Sequence, residues 1–496
     1  MKGGALINLT STVHGKFSVG IIFAATLIFA LTARAGDWKL TAGLGVTESF
    51  SDNIDLASDG QDANSDLITR VTPRISLRGT GGRGFLNFNL SRSESFHRLD
   101  STRDSSNNNL LGSGQVEIWN RIAFIDAQAS ITQQVVDSSA ATSNSVAGQN
   151  VNRTETIAYN ISPFFRHHFG AWAETESRTT ISGVKTASSA SDDTTTISNH
   201  LTISSGRRFT SFQWGLVSLN SKTKSSDDSP STKTTRIDGN VTYVLHRKLS
   251  LLSGVGYERI EDPSLTTEPK GMNWNVGFSA RPSSKTDLRF TIGDRNDTTT
   301  IDFQGSHRLS PRTTITANFS ETLQTTEQQI TNDLSFLTLD PSGSGTLIDS
   351  RTGSVFTGST DAFGIQNDTF RQQVFRLQMS GRHRRNTYVG GFFWESRKTD
   401  STNITETVLG SNLSLSRRLS TRSSGSLGLT YRNTDFGTVD LRTEDELLIN
   451  AGYNYRIKDD LTAALAYNLT VRKVNNAADP ADLKENSVSL SLSKSF

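Results

Sequence analysis

The last ten residues of the chain, 487–496, alternate between apolar and polar side chains. Val488, Leu490, Leu492 and Phe496 fall on one face of an extended strand, which only Lys494 interrupts, and every residue on the other face is serine. Successive strand side chains point to opposite sides, so the pattern predicts one apolar and one hydrated face. A soluble sandwich strand has the same pattern, but here the chain stops on an aromatic residue. A terminal Phe resembles the assembly signal of bacterial outer-membrane β-barrels, and we interpret the four apolar residues in this way.

The same alternation recurs along the rest of the chain. Clear examples are residues 38–47, 67–78, 237–245, 273–280, 447–456 and 461–472. Their spacing predicts about 22 strands, within a range of about 20 to 24, each long enough to cross a bilayer at the tilt of a barrel strand. We therefore predict an all-β fold, a transmembrane up-and-down antiparallel β-barrel. An even strand number places both ends in the periplasm, and the first strand begins so early that we expect no plug domain.

Short and long connections alternate between the predicted strands. The short ones are residues 206–208, 282–285, 381–386, 417–421 and 457–460, and the long polar ones are residues 100–112, 138–152, 185–193, 222–232, 261–270 and 474–485. Outer-membrane barrels have short periplasmic turns and longer outer loops, whereas a sandwich has no reason to sort its loops by length. This sorting favours the barrel.

The composition agrees with a membrane barrel. The chain has 34% hydrophobic residues, and no internal apolar run is long enough for a membrane helix. In hydrocarbon every backbone N–H and C=O needs a partner, so a spanning chain without helices must close its sheet. Disorder also suits a polar composition, but the aromatic and β-branched residues recur at regular intervals, which disordered segments rarely show.

Residues 1–35 have the pattern of a cleaved signal peptide. Lys2 and Lys16 supply the positive start, residues 17–31 the apolar core, and Ala-Arg-Ala at 33–35 the small residues of a cleavage site. An uncleaved anchor is the alternative, but the apolar run is short for one. We therefore expect export to the outer membrane of a Gram-negative cell.

The remaining residues, 36–496, should form the barrel. They are nearly neutral, because the signal segment carries three basic residues and no acids, so nucleic acid is not an expected partner. The chain has no cysteine, which excludes disulfides, thiol metal ligands and cysteine nucleophiles. The expected partners are outer-membrane lipid and the barrel-assembly machinery, and we predict no cofactor.

One predicted extracellular loop, residues 327–368, is unusually long. It is rich in glycine and contains five apolar residues, Phe336, Leu337, Val355, Phe356 and Phe363. Loops of this length are uncommon and often functional. Two interpretations remain open: the segment folds inward as a constriction or lid, or it is an outer loop with a small hairpin.

Several motifs carry a family resemblance. They are Trp38, residues 48–54 (Glu-Ser-Phe-Ser-Asp-Asn-Ile), Pro73 with Ile75, residues 124–127 (Phe-Ile-Asp-Ala) and the pair Gln133-Gln134. In these motifs, its length and its terminal aromatic, the chain resembles the PEP-CTERM system-associated outer-membrane proteins, found near exosortase and exopolysaccharide loci. The motifs cover the N-terminal third, and the rest agrees by pattern. The resemblance implies a non-enzymatic barrel linked to exopolysaccharide export or surface-protein sorting, with polysaccharide-export components as partners, and it supplies no catalytic residues.

Other functions remain open beside that one. A polar lumen without a plug suits a general or substrate-specific porin-like channel, and the long outer loops suit an adhesin. An outer-rim lipid or peptide hydrolase would need a histidine at the rim, where His97 lies near Asp100 and Asp104. A histidine at such a place is usually a solvated rim residue, so we do not expect an enzyme and predict no catalytic residue.

Three clusters of charge have a structural and a functional interpretation. The first predicted outer loop offers Asp52, Asn53, Asp55, Asp59, Asp62 and Asp66. The spacing of a calcium loop is missing, so we predict a solvated acidic loop and no metal site. Residues 382–385, Arg-His-Arg-Arg, fall on a short turn and predict a basic patch at the periplasmic or headgroup level.

The third cluster is a row of arginines, Arg70, Arg74 and Arg78, on one face of the second predicted strand. A charge on the lipid face costs about 2–4 kcal/mol at the bilayer midplane, so this face should line the lumen. Such a basic ladder would set an anion preference or pair with acids on neighbouring strands.

Overall fold

The computed structural model describes residues 36–143, 152–187, 192–226, 231–262, 265, 268–295, 298–339, 347–350, 363–365, 368–437, 442–475 and 482–496. The predicted signal peptide, residues 1–35, lies outside these ranges. Within them, 22 strands pair into one sheet. These strands are β1 (Gly36–Ser51), β2 (Asp66–Gly81), β3 (Gly84–His97), β4 (Ser105–Trp119), β5 (Ala123–Val135), β6 (Arg153–Phe169), β7 (Ala173–Thr186), β8 (Thr194–Ser205), β9 (Phe212–Ser225), β10 (Thr232–His246), β11 (Leu249–Glu261), β12 (Lys270–Ser283), β13 (Thr286–Arg295), β14 (Thr298–Ser310), β15 (Thr313–Gln324), β18 (Phe370–His383), β19 (Asn386–Thr399), β20 (Thr405–Arg418), β21 (Ser423–Asp435), β22 (Thr443–Lys458), β23 (Leu461–Asn475) and β24 (Leu483–Ser495).

The large sheet is antiparallel throughout and closes on itself. Each strand pairs with its neighbours in the chain, and β15 pairs with β18 across the longest connection. The ring closes where β24 pairs with β1, for example at Val488 opposite Phe50 and Leu492 opposite Val46. Closure leaves the sheet without an edge. The predicted up-and-down barrel of 22 strands is confirmed.

The outer surface of the barrel carries the apolar side chains. On β1, Leu40, Leu44, Val46 and Phe50 are all exposed there. A row of phenylalanines continues around the ring as cross-strand partners on the same surface, namely Phe278, Phe290, Phe303, Phe319 and Phe375. On a soluble protein so much exposed apolar surface would mark an interface. Around a closed barrel it is the band that contacts lipid.

The connections differ in length at the two ends of the barrel. At one end β2 meets β3 through residues 82–83, and β18 meets β19 through residues 384–385. At the other end, residues 52–65 separate β1 from β2. One predicted outer loop, residues 100–112, was placed wrongly: its second half belongs to β4. Serine and asparagine there resemble a loop in composition, but they pair with β3 and alternate between its two faces.

The connection between β15 and β18 has structure of its own. The side chain of Thr325 accepts a hydrogen bond from the backbone N–H of Gln328, and the Gln328 side chain accepts one from Thr325 N–H. This capping box begins the helix α1 (Thr326–Asp333). A 3₁₀ turn (Leu334–Phe336) follows, and two short strands, β16 (Leu337–Leu339) and β17 (Leu347–Asp349), form a small hairpin. No helix of the described residues is long and apolar enough to cross a bilayer.

Candidate functional site

Side chains on the lumen face are covered at the end of the barrel with the long connections and exposed at the end with the short turns. We call these the outer end and the periplasmic end, following the orientation that the loop lengths predict. On β1, Ser51 is 0% exposed, whereas Lys39 near the other end of the strand is exposed. On β22, Glu444 and Glu446 are buried, whereas Arg456 is exposed. A wide lumen should be hydrated along its whole length. Burial at one end therefore means that other parts of the chain cover the wall there.

The first cover is the segment 326–337, which we call the crossing segment. It leaves the wall beside β15 and reaches the inner side of β4–β7, which lie eight to eleven strands from β15 in the order of the 22-stranded ring. The contact there is apolar and joins Ile330, Leu334 and Leu337 of the segment with Leu111, Ala158 and Val184 of the wall. Full burial of an aliphatic side chain stabilises by about 1.5–3 kcal/mol. The crossing segment is therefore held at its far end by a few kcal/mol of apolar packing.

The near end of the crossing segment is held by a buried cation. Arg397 of β19 is only 1% exposed, and its guanidinium lies 3.6 Å from the centre of the Phe370 ring. Its Nη2 donates a hydrogen bond to Thr326 Oγ1 at 3.2 Å. Glu406 is the cross-strand partner of Arg397 and is also buried. The first residue of α1 is thereby fixed to the wall.

A second inward segment, residues 137–143, covers another part of the wall. It follows β5, and the carbonyl oxygen of Ser139 accepts hydrogen bonds from Arg442 at 2.7 Å and from Arg472 at 2.6 Å. Ser143 Oγ donates to the Glu485 carboxylate at 2.5 Å. These contacts fasten the segment to the lumen side of β22–β24.

Residues 363–365 connect the two covers. The backbone N–H of Ile365 donates to the carbonyl oxygen of Val136 at 3.0 Å, beside the second inward segment. The Phe363 ring lies 5.7 Å from the Arg397 guanidinium, which holds the crossing segment. The outer half of the lumen is therefore obstructed by the chain's own loops. Of the two interpretations of residues 327–368, the described part contains both, an inward constriction and a small hairpin. Residues 340–346, 351–362 (with Val355 and Phe356) and 366–367 lie outside the described ranges.

Arg70, Arg74 and Arg78 all face the lumen, because their register with β1 places them opposite the exposed apolar face. Arg70 is buried and donates from Nε to Ser95 Oγ at 3.0 Å. Arg74 donates to Ser493 Oγ of β24. The row therefore extends from the covered outer half of the lumen toward the periplasmic end.

Other charges on the lumen face form pairs across strands. Glu258 is 1% exposed and accepts two hydrogen bonds from Arg295, at 2.6 and 2.7 Å. Arg178 donates to Asp126 at 2.7 Å, and its guanidinium lies 3.9 Å from the Phe164 ring centre. Charge-assisted pairs of this kind are the stronger hydrogen bonds of proteins. The lumen wall is polar, and much of its charge is balanced locally.

The prediction that His97 is a solvated rim residue was wrong. Its Nδ1 lies 3.0 Å from Asp66 Oδ2, and the two side chains are 5% and 3% exposed. Its backbone N–H donates to Asp104 at 2.7 Å. Asp100 instead accepts from Thr102 and begins a short 3₁₀ turn. Because Asp66 starts β2 and His97 ends β3, the pair joins the first two outer loops.

The carboxylates of the first outer loop do not converge. Asp52 pairs with Asn486, Asp55 with Arg103, and Asp66 with His97. Partial burial raises the pKa of Asp55, but hydrogen bonds from Asn64 and Arg103 outweigh it and hold the pKa below its ordinary value. In the part of the chain that the structure describes, no three acidic or histidine side chains come together as metal ligands.

The remaining predicted residues lie at the periplasmic end or on the lipid face. Residues 382–385 are exposed: the first two end β18, and the other two form the turn to β19, where Arg384 has a positive φ of 54°. Val488, Leu490, Leu492 and Phe496 are exposed on the outer surface. The Phe496 N–H donates to the carbonyl oxygen of Ala42 at 2.7 Å, which fastens the chain end to β1. That these residues direct assembly stays a prediction.

Sequence reasoning missed the residues that hold the covers, namely Ile330, Leu334, Arg397, Arg442 and Arg472. One signal was present: Thr325 with Gln328 is a capping box, followed by apolar residues at helical spacing. That pattern predicts a helix with an apolar face inside the long loop. An apolar helical face needs a surface to cover it, and the loop's own hairpin is too small to supply one.

The closed sheet and its lipid-facing band define the class: this is an outer-membrane β-barrel protein. Its fold is similar to that of the ferric-catecholate import receptor Fiu from E. coli K12, with TM-score 0.52 and 10% identity over 92% of this chain and 81% of that one. The siderophore receptor PiuA from Acinetobacter baumannii gives TM-score 0.51 and 10% identity over 93% and 82%. These likenesses concern the fold alone. No known family and no curated protein matches the sequence.

Proposed function

We propose that the protein is a gated, non-enzymatic outer-membrane channel that exports a polysaccharide chain. The proposal of a gate rests on the crossing segment, which spans the lumen between Arg397 and the apolar residues of β4–β7. A barrel of 22 strands is wider than the 16 to 18 strands that already leave an aqueous channel. Displacing this cover would therefore open a wide passage.

The polar lumen wall supports the proposal that the cargo is a polysaccharide. The lumen face is rich in hydroxyl and amide side chains, as on β24, where it presents Ser487, Ser489, Ser491 and Ser493. Such groups exchange hydrogen bonds with a hydrated glycan without binding it tightly. The family resemblance of the N-terminal motifs points to exopolysaccharide loci and supports the same cargo, with polysaccharide-export components as partners.

The gate is tested by replacing residues 327–368 with a short Gly-Ser linker between β15 and β18. In planar bilayers, the intact protein should conduct little, and the trimmed barrel should show large, steady conductance. Glycine replacement of residues 101–103, which lie in a different outer loop, is the matched control and should leave the conductance low. A trimmed barrel that folds, as its heat-modifiable migration shows, and remains silent would exclude the gate.

The cargo is tested in the cell. A clean deletion should reduce secreted polysaccharide, and the intact gene should restore it. The second candidate, a porin-like channel for small solutes, is favoured by the exposed polar side chains of the periplasmic half. Unchanged polysaccharide secretion together with reduced uptake of small solutes would select the porin and reject export.

A further inference from the structure

The lipid-facing surface of β9–β12 changes from apolar to basic toward its outer end. Its apolar part includes Val255, Trp274 and Val276, which are all about half exposed. Tyr257 and Met272 come next along the strands. Beyond them the same face carries five exposed basic residues, Lys222, Lys224, Lys233, Arg259 and Lys270. We call these five residues the basic rim patch.

The register of the strands brings these positive charges side by side. Lys233 of β10 is the direct partner of Lys222 of β9, and Arg259 of β11 is the direct partner of Lys270 of β12. Side chains directly opposite each other are about 4.5–5.5 Å apart at Cβ, and like charges there destabilise the sheet. Two such pairs on adjacent strands would be stabilised by a negatively charged partner from outside the barrel wall, because it would reduce the repulsion between the paired cations.

One carboxylate lies within the patch. Glu261 pairs with Lys233 at 3.2 Å and with Arg259 at 3.1 Å. A single carboxylate leaves the patch with a clear positive excess. Elsewhere on the outer rim carboxylates lie beside the basic residues, since Arg92 pairs with Glu94 and Lys473 is the cross-strand partner of Asp445. Arg371 lies opposite Lys398, but it pairs with Glu321.

The height of the patch is that of the lipid headgroups. Arg259 is two residues beyond Tyr257, and Lys270 is two residues from Met272, which corresponds to about 7 Å along a strand. Aromatic residues at the end of the apolar band mark the membrane–water boundary, so Tyr257 lies close to it. Flexible ammonium groups and a guanidinium just beyond this level are placed to bind phosphate.

We propose that the basic rim patch binds the phosphate groups of an anionic glycolipid in the outer leaflet, of the diphosphorylated lipid A type. The lipid phosphates fill the positions between the paired cations, and the acyl chains lie along the apolar band below. The lipid-site proposal does not depend on the proposed gate or cargo. A negative lipid-binding result would therefore leave the proposed channel function unaffected.

The test titrates the detergent-solubilised full-length barrel with diphosphorylated lipid A and follows binding by native mass spectrometry. Each basic residue near an anionic lipid surface changes binding by about fivefold. The variant K222Q/K233Q/R259Q/K270Q loses four such contributions, which multiply, and should therefore bind about 600-fold more weakly. The double variant K222Q/K270Q leaves both partners of Glu261 in place and should show a smaller loss in the same direction.

The matched control is the variant R92Q/K398Q/K473Q, which removes three exposed charges from the outer rim elsewhere on the lipid-facing surface. It should bind lipid A as the unmodified protein does, and dephosphorylated lipid A should bind weakly to both. Equal loss in the control, or equal binding of dephosphorylated lipid A, would overturn the proposal. Displacement of the lipid by a soluble anionic polysaccharide at equal charge would also overturn it, because the patch would then contact the glycan rather than the membrane.

Discussion

The Arg397 guanidinium lies over the ring of Phe370, 3.6 Å from its centre, and both side chains are buried in the outer half of the lumen. This arrangement gives a loop inside a wide barrel a fixed starting point. From Thr326, which Arg397 contacts, the chain crosses to an apolar patch on the other side. The cover therefore has two anchors of different chemistry, one charged and one apolar, and each can be removed separately.

Removal of the charged anchor should loosen the gate. Arg397→Gln deletes the contact with Phe370 and the hydrogen bond to Thr326, so single-channel recordings should show more frequent openings than the unmodified protein. Loss of one member of a buried charged cluster costs about 3–5 kcal/mol, so the thermal midpoint should also fall. Arg308→Gln, which removes an exposed arginine at the periplasmic end of the lumen face, is the control. Similar recordings from the two variants would contradict a latch at Arg397.

A charge in the apolar anchor should release the far end of the crossing segment. Leu334 is 5% exposed, and Leu334→Asp would place a carboxylate in the apolar cluster that includes Leu111 and Val184, where its desolvation costs several kcal/mol. Conductance should approach that of the loop-trimmed barrel. Ser335→Asp, on the exposed side of the same turn, should leave the gate closed. An unchanged conductance in Leu334→Asp would show that this contact does not hold the cover.

The lumenal arginines should favour anions once the barrel is open. In the loop-trimmed protein, Arg70→Gln, Arg74→Gln and Arg78→Gln together should shift the reversal potential in a KCl gradient toward the value for cations. The reason is that a row of fixed positive charge raises the local anion concentration. Replacing the exposed turn arginines 384 and 385 should produce a smaller shift. A reversal potential that does not respond to the triple variant would mean that these charges are balanced by neighbours.

The outer loops should remain joined in mild acid. Hydrogen bonds from Asn64 and Arg103 outweigh partial burial and hold the pKa of the Asp55 carboxyl below its ordinary value of about 3.9. A lowered pKa in the folded state means that the stabilisation is present above about pH 3.9 and is lost as the pH falls through the lower folded value. Hydrogen exchange in residues 52–65, corrected for intrinsic rates, should therefore be slow at pH 5 and faster near pH 3. Arg103→Gln should reduce this difference, because only the hydrogen bond from Asn64 then remains, and a transition near pH 6 would contradict the assignment.

The barrel itself could be predicted from sequence because every strand encodes its two faces locally. Alternation at Val488, Leu490 and Leu492 shows which side chains face lipid without knowledge of any contact. The same local rule places Arg70 in the lumen. It fails where both faces of a strand are polar and the segment has the composition of a loop, as in residues 105–109, which the structure places in β4.

The obstruction of the lumen could not be predicted in the same way. Ile330 and Val184 belong to the same apolar cluster although nearly 150 positions separate them in the chain, and no local pattern specifies that cluster. The pairing of His97 with Asp66 has the same origin, because only the register of β2 with β3 brings them together. Sequence patterns define surfaces, but the partner that covers a surface depends on how the ring of strands closes.

The central claim is that the crossing segment obstructs the lumen by docking on the far wall. The chain has no cysteine, so Ile330→Cys with Val184→Cys introduces the only two thiols. Single-channel conductance of this variant should be measured after oxidation and again after reduction. We predict that the conductance stays near zero in the oxidised barrel. Openings should appear once the disulfide is reduced. Full conductance through the disulfide-locked barrel would contradict the gate.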